Sequence, residues 1–342
     1  MRRSSPLVRL SPGDFDLVNA ARRILEGSLS VVPGETVLVI VDQARVDLVP
    51  PLAEVASLAG AECDVVILED LAPRPIHELP RVIEAKLHDV QATILLVGIV
   101  DGEQPMRLAL LERVRETGLR HAHMIGVTRR TMLAGFSVDP TRILDATRAV
   151  RMRLRPSSVI QSRTTAGTNL TVKLNPAHRW VEHVGVIRPG RWENLPSGEL
   201  MTAPLSVDGT FVCDASLGGP FGAAMGLLSS CPLRLEIEDN VVKSFSCSES
   251  SIHRGIEAFI AHDRFSSHVG TVILGTNVGL LAPIGELVCD QNLPGLHISL
   301  GSTFPDATGA APTTTLQLSL TSFGGDVDLD GTPLLRAGRY MV

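Results

Sequence analysis

Apolar and polar positions follow two regimes along the chain. In the first, helical stripes alternate with short runs that are apolar throughout. In SPGDFDLVNAARRIL, Leu17, Ala20, Ala21 and Ile24 form one stripe at helical spacing. Ser11 stands at its cap, Pro12 at the first helical position and Asp14 beside the exposed amide groups, while Gly27 is expected to end the helix. PGETVLVIVDQAR then gives a turn and a run with both faces apolar, the pattern of a buried parallel strand. A helical stretch from Leu48 to Leu58 leads to a second strand in CDVVILED, and a helix around Ile76 to Lys86 leads to a third in ATILLVGIV. These alternations predict a parallel sheet covered by helices. The segment from Met106 through RHAHMIGVTRRTML to Ala149 is read as helix in several pieces.

Beyond about residue 150 the helical period gives way to short strands separated by turns, among them GTNLTVKLNP, HVGVIRPG, LRLEIEDNVVKSFSC, GTVILGTNVGL and LHISLGSTF. One helix interrupts them in SESSIHRGIEAFIAHDRF, with Ile256, Phe259 and Ile260 on one face. The expected architecture is an α/β N-terminal domain with a parallel sheet over 1–150, followed by a mostly β domain over 151–342 that carries the cleft.

Composition narrows the partners. Aromatic residues are 4% of the 342 and the formal net charge is -6, which argues against a surface for nucleic acid or anionic lipid. No run has the length of a membrane span, and MRRSSPLVRLSPGDF lacks the apolar stretch of a signal peptide, so a cytoplasmic protein is expected. The five cysteines form no CxxC pair and are read as buried thiols, with Cys231 and Cys247 held in reserve. The turn after VIVD reads QARVD, with no glycine-rich cradle for a nucleotide, and no GxSxG marks a serine nucleophile.

LPSGELMTAP, with AGTNLTVKL before it and HISLG and DGTPLLRAGRY after it, resembles the thermophilic leucyl aminopeptidases of the aminopeptidase T family. A non-haem iron enzyme that cleaves dihydroxypyridine rings shares that fold. The resemblance covers nearly the whole chain and implies an α/β domain, a β-rich aminopeptidase-like domain and a homodimer. It also implies two divalent metals held by Glu, His and Asp in the peptidases. The glutamate of the family's LPxGE motif falls on Glu199 and the histidine of its HIALG motif on His297. Elsewhere the chain departs from the pattern. GTVILG puts Thr271 at a glutamate position, and Phe304 replaces a tyrosine. Framing the terminal HxD pair on TTTLQL puts Leu316 and Leu318 at the two ligand positions. Leucine offers no lone pair to a metal. His253, His262, His268 and Asp263 offer donors for a relocated site, but their spacing is not that of HExxH.

The resulting expectation is a metal-free and cofactor-free pseudo-aminopeptidase. It would bind a peptide along Glu199, Thr271, Asn277, His297, Phe304, Leu316 and Leu318, and help present a precursor peptide to a peptide-modifying enzyme. The alternative is an active metal-dependent enzyme on the same scaffold, either an aminopeptidase or a non-haem iron ring-cleaving dioxygenase.

Overall fold

The computed structural model describes residues 15–341. The expected cap at Ser11, Pro12 and Asp14 lies outside the described residues. The described residues form two compact units, one up to 141 with 185–196, the other 142–184 with 197 onward. Neither the return of 185–196 to the first unit nor the position of the boundary inside the helix Pro140–Arg153 has a cue in composition.

The first unit is built on a parallel sheet of β1 (Thr36–Val41), β2 (Glu62–Ile67), β3 (Ala92–Val97) and β4 (Arg120–Ile125), extended by the strand Arg191–Asn194, in the order β2, β1, β3, β4, Arg191–Asn194. The middle strands read apolar throughout because both faces are covered. Val37, Val39, Val41, Ile94 and Leu96 pack with Leu17, Ile24 and Leu52 on one side. Leu38, Ile40, Leu95 and Val97 pack with Ile83 and Leu110 on the other. The helix Phe15–Arg22 buries Leu17, Ala20 and Ala21 as expected, but continues into a π-helical turn, Arg23–Ser28, with Gly27 inside it.

RHAHMI corrects the reading of Met106 to Ala149 as helix alone, because it is the strand β4. Two histidines broke its apolar run and hid it. Both are absorbed by their neighbours: Thr93 Oγ1 lies 2.7 Å from His121 Nδ1, and His121 Nε2 lies 3.2 Å from His123 Nδ1. Burial, and then the adjacent His123 for His121 and the Arg107 guanidinium for His123, hold these rings below the ordinary histidine range, His123 at about 4.

In sheets of this kind, ligands commonly enter outside the carboxyl ends of strands where the strand order reverses. That reversal falls between β1 and β3, where the chain fills the space with its own ion pairs. Asp42 Oδ2 accepts from Arg45 at 2.8 Å, from Arg74 at 2.7 Å and from the Gly98 N–H at 2.6 Å. Arg74 Nε donates to Glu103 at 2.8 Å, and Asp42 and Glu103 are both buried. Arg74→Met removes the cation shared by two buried carboxylates and is expected to destabilise the protein by about 3–5 kcal/mol in urea unfolding. A loss below 1 kcal/mol would show the network to be dispensable.

The second unit stacks an eight-stranded sheet and a five-stranded sheet. The larger runs in the order Val241–Ser246, Leu233–Glu238, Pro204–Cys213, Asn169–Leu174, Val159–Arg163, Asp326–Leu329, Thr332–Arg336, Arg339–Tyr340. The smaller is formed by β5 (Val181–His183), β6 (Glu199–Thr202), β7 (Val269–Gly275), β8 (Gly295–Gly301) and β9 (Gln317–Leu320), in the order β9, β8, β7, β6, β5. Leu200, Val272, Leu274, Leu296, Ile298 and Leu318 of the smaller sheet share one hydrophobic core with Ile160, Leu170, Val172, Val207 and Phe211 of the larger. Successive strand residues point to opposite faces, so this core claims alternate positions. Glu199, Thr271, His297, Ser299, Gln317 and Ser319 are left on the other face.

All five cysteines are free; Cys213 and Cys289 are buried as expected, whereas Cys63, Cys231 and Cys247 are only partly so. No helix among the described residues is long and apolar enough to cross a membrane.

Candidate functional site

The polar face of the smaller sheet has two centres. At one end, β5 and β6 run antiparallel with His183 opposite Glu199. The glutamate is positioned by the turn before it. Gly198 sits at φ 124°, and a Cβ there would lie 2.6 Å from the Asn277 amide nitrogen, so glycine is required. Asn277 is fully buried and closes this turn, its Nδ2 donating to the Ser197 carbonyl at 3.0 Å. Its role is that of a loop brace. Glu199 is 8% exposed, enough to keep its carboxylate in reach of solvent. Burial pushes its carboxyl above the ordinary range, and the His183 ring, whose Nε2 lies 3.9 Å from Oε1, acts in the opposite direction. His183 Nδ1 is buried with no hydrogen-bond partner. A carboxyl of raised pKa beside an imidazole with an uncommitted nitrogen can take up and release a proton.

The second centre lies along β7, β8 and β9. Thr271 is opposite Ser299, which is opposite Ser319. The Ser299 and Ser319 hydroxyls are 2.9 Å apart, and Gln317 Nε2 donates to Ser319 at 3.1 Å. Gln317 is exposed, so this row opens to solvent. Thr271 Oγ1 is buried without a partner. Phe304, half-buried, starts the short helix Pro305–Thr308 at φ 49°, a left-handed conformation that strains an aromatic residue.

His297 lies between the two centres but is engaged. The Ser322 N–H donates to its Nδ1 at 3.3 Å, so Nε2 carries the proton and donates to the Leu293 carbonyl at 2.9 Å. Burial holds this ring at about 4. Below the unfolded value of 6.5 the unfolded chain takes up a proton that folded His297 and His121 refuse until far lower pH. Their contribution is therefore complete above pH 6.5 and lost as pH falls toward 4. Unfolding free energies from urea titrations should fall over this window by about 1.4 kcal/mol per pH unit for each histidine; a flat profile would mean the rings are accessible.

Leu318 requires a correction. It is 1% exposed and belongs to the hydrophobic core, so it lines no groove; Leu316 precedes the strand and is half-buried. The residues of β9 that face the site are Gln317 and Ser319. A frame displaced by one residue exchanges the faces of a strand.

The metal that the resemblance implies does not fit the donors present. No group of three or more His, Cys, Asp or Glu side chains that could hold a metal ion occurs among the described residues. Both nitrogens of His297 are in hydrogen bonds, and the second centre supplies neutral hydroxyl and amide groups. His253 stacks on Phe245, with ring centroids 4.8 Å apart, and His262 lies 3.6 Å from Asp263, so these do not form a relocated site either.

A parallel α/β unit joined to a β unit with one polar sheet face is the aminopeptidase-like two-domain fold. Residues 16–270, well over half of the chain, match the family model for NicX, 2,5-dihydroxypyridine 5,6-dioxygenase, and the chain belongs to that family. Its structure is similar to that of a 2,5-dihydroxypyridine dioxygenase from Pseudomonas putida, with a TM-score of 0.66 and 17% identity over 98% of this chain and 99% of that one. It is also similar to AmpT from Thermus thermophilus, with a TM-score of 0.64 and 18% identity over 96% of this chain and 99% of that one. No curated protein matches the sequence significantly. The family match and the dioxygenase likeness overturn the expectation of a peptide-binding pseudoenzyme and favour the alternative, an enzyme on this scaffold.

Proposed function

We propose that the chain is an enzyme acting on a small hydroxylated aromatic or heteroaromatic ring, the class of compound named in its family's description. The observation that carries this reading is the Glu199–His183 pair. A carboxylate whose pKa is raised by burial is a base matched to a weakly acidic ring hydroxyl, since proton transfer is most efficient when the pKa of the base approaches the working pH. His183, beside it, stabilises the ionised carboxylate before the proton moves. Thr271, Ser299, Ser319 and Gln317 supply neutral hydrogen-bonding groups suited to a polar, uncharged ligand. The donor set does not fit a metal, so the step assigned to these residues is removal of a proton from the ring hydroxyl, and no ring-opening step is derived. Calorimetric titration tests the substrate class. Binding of 2,5-dihydroxypyridine with little or no binding of unsubstituted pyridine supports it; equal binding, or binding of neither, overturns it.

A further inference from the structure

A separate cleft of about 560 Å³ opens in the second unit, within the ~300–1,000 Å³ usual for small-molecule sites. One wall is the helix Pro140–Arg153, which contributes Arg142, Asp145 and Ala149. Leu280 and Leu281 face it from the turn after β7, and Arg339 and Tyr340 come from the last strand. Leu281 is 79% exposed, an apolar side chain held open to water at the rim of the cleft. The Tyr340 hydroxyl is already committed, donating to the Gly275 carbonyl at 2.6 Å, so its ring is a fixed wall. Arg142 and Arg339 have no ion pair among the described residues, and Asp145 is the sole carboxylate lining the cleft, which leaves an excess of positive charge.

Two guanidinium groups beside apolar walls and one immobile aromatic ring suit a planar ligand that carries a carboxylate. Arginine presents a planar fork matched to a carboxylate, and it stacks on flat π-systems. Neither Glu199 nor His183 lines this cleft. We propose that it is a binding site for aromatic carboxylates, distinct from the Glu199–His183 pair and independent of the function proposed for that pair.

The test is calorimetric titration of the full-length protein with nicotinate and benzoate, against nicotinamide and benzamide as uncharged counterparts of the same shape. The carboxylates are expected to bind at least tenfold more tightly than the amides. Arg142→Gln and Arg339→Gln should each weaken carboxylate binding at least fivefold, and Glu199→Gln should leave it unchanged. Both arginines are exposed, so circular dichroism should show the variants folded. Equal affinity for acids and amides overturns the proposal, as does absence of carboxylate binding at millimolar concentration or affinity indifferent to both arginine substitutions. Loss of binding in Glu199→Gln also overturns it, since the ligand would then occupy the other site.

Discussion

Leu318→Asp is expected to leave the protein unfolded or severely destabilised, whereas Ser319→Asp, one residue further on, is expected to leave it folded. Leu318 is 1% exposed among Leu296, Ile298 and Leu300, with no polar group of its own to meet. A carboxylate there either remains charged without a partner or is protonated at a large cost, and the leucine's packing is lost as well. Together these amount to several kcal/mol, comparable with the whole stability of a typical domain. Ser319 lies on the opposite face, where Gln317 Nε2 can donate to the new carboxylate. Thermal melts of the two variants distinguish the faces directly. If Leu318→Asp were tolerated and Ser319→Asp were not, the face assignment of β9 would be inverted and the candidate site would have to be rebuilt.

The second large effect concerns Glu199. Glu199→Gln preserves shape and removes the base, and general-base contributions are of the order of 10²–10⁴ in rate. With a hydroxylated ring substrate, kcat/KM is expected to fall at least a hundredfold through kcat, with KM little changed, because the interaction lost belongs to the transition state. His183→Gln should cost less. Its larger signature is in the pH profile, since removing the imidazole takes away the influence that lowers the Glu199 pKa and should move the rising limb to higher pH. Equal rates in wild type and Glu199→Gln would remove this residue from the chemistry.

Much of this arrangement was legible in the chain. The apolar runs TVLVIV and ATILLV are β1 and β3. Glu199 was reachable because the LPxGE motif of the resembling family falls on it. His183 was not, because its importance comes from pairing between β5 and β6, sixteen residues apart in sequence. The strand RHAHMI was hidden for a physical reason: His121 is buried and His123 half-buried, with His121 bonded to Thr93 and to His123, which no hydropathy pattern reveals.

The error at β9 is more instructive, since the signal was present. TLQLSLTS alternates leucine with Gln317, Ser319 and Thr321, and period-two alternation places the leucines on the core side. Fitting the segment to a family frame gave Leu316 and Leu318 the ligand positions; strand periodicity would have given them to the intervening residues. HISLG follows the same alternation, with Leu296, Ile298 and Leu300 inward. The engagement of His297 by Leu293 and Ser322 depends on neighbouring loops and could only be seen in three dimensions.

Ultraviolet difference spectroscopy reads whether Glu199 accepts a proton from a bound hydroxylated ring. Adding 2,5-dihydroxypyridine to the wild-type protein below the ligand's own first hydroxyl pKa should produce the spectrum of the ring anion. Glu199→Gln should bind the ring with the spectrum of the neutral form. Identical spectra for the two proteins, or a neutral ring bound to wild type across the accessible pH range, would mean that Glu199 takes no proton from the ring.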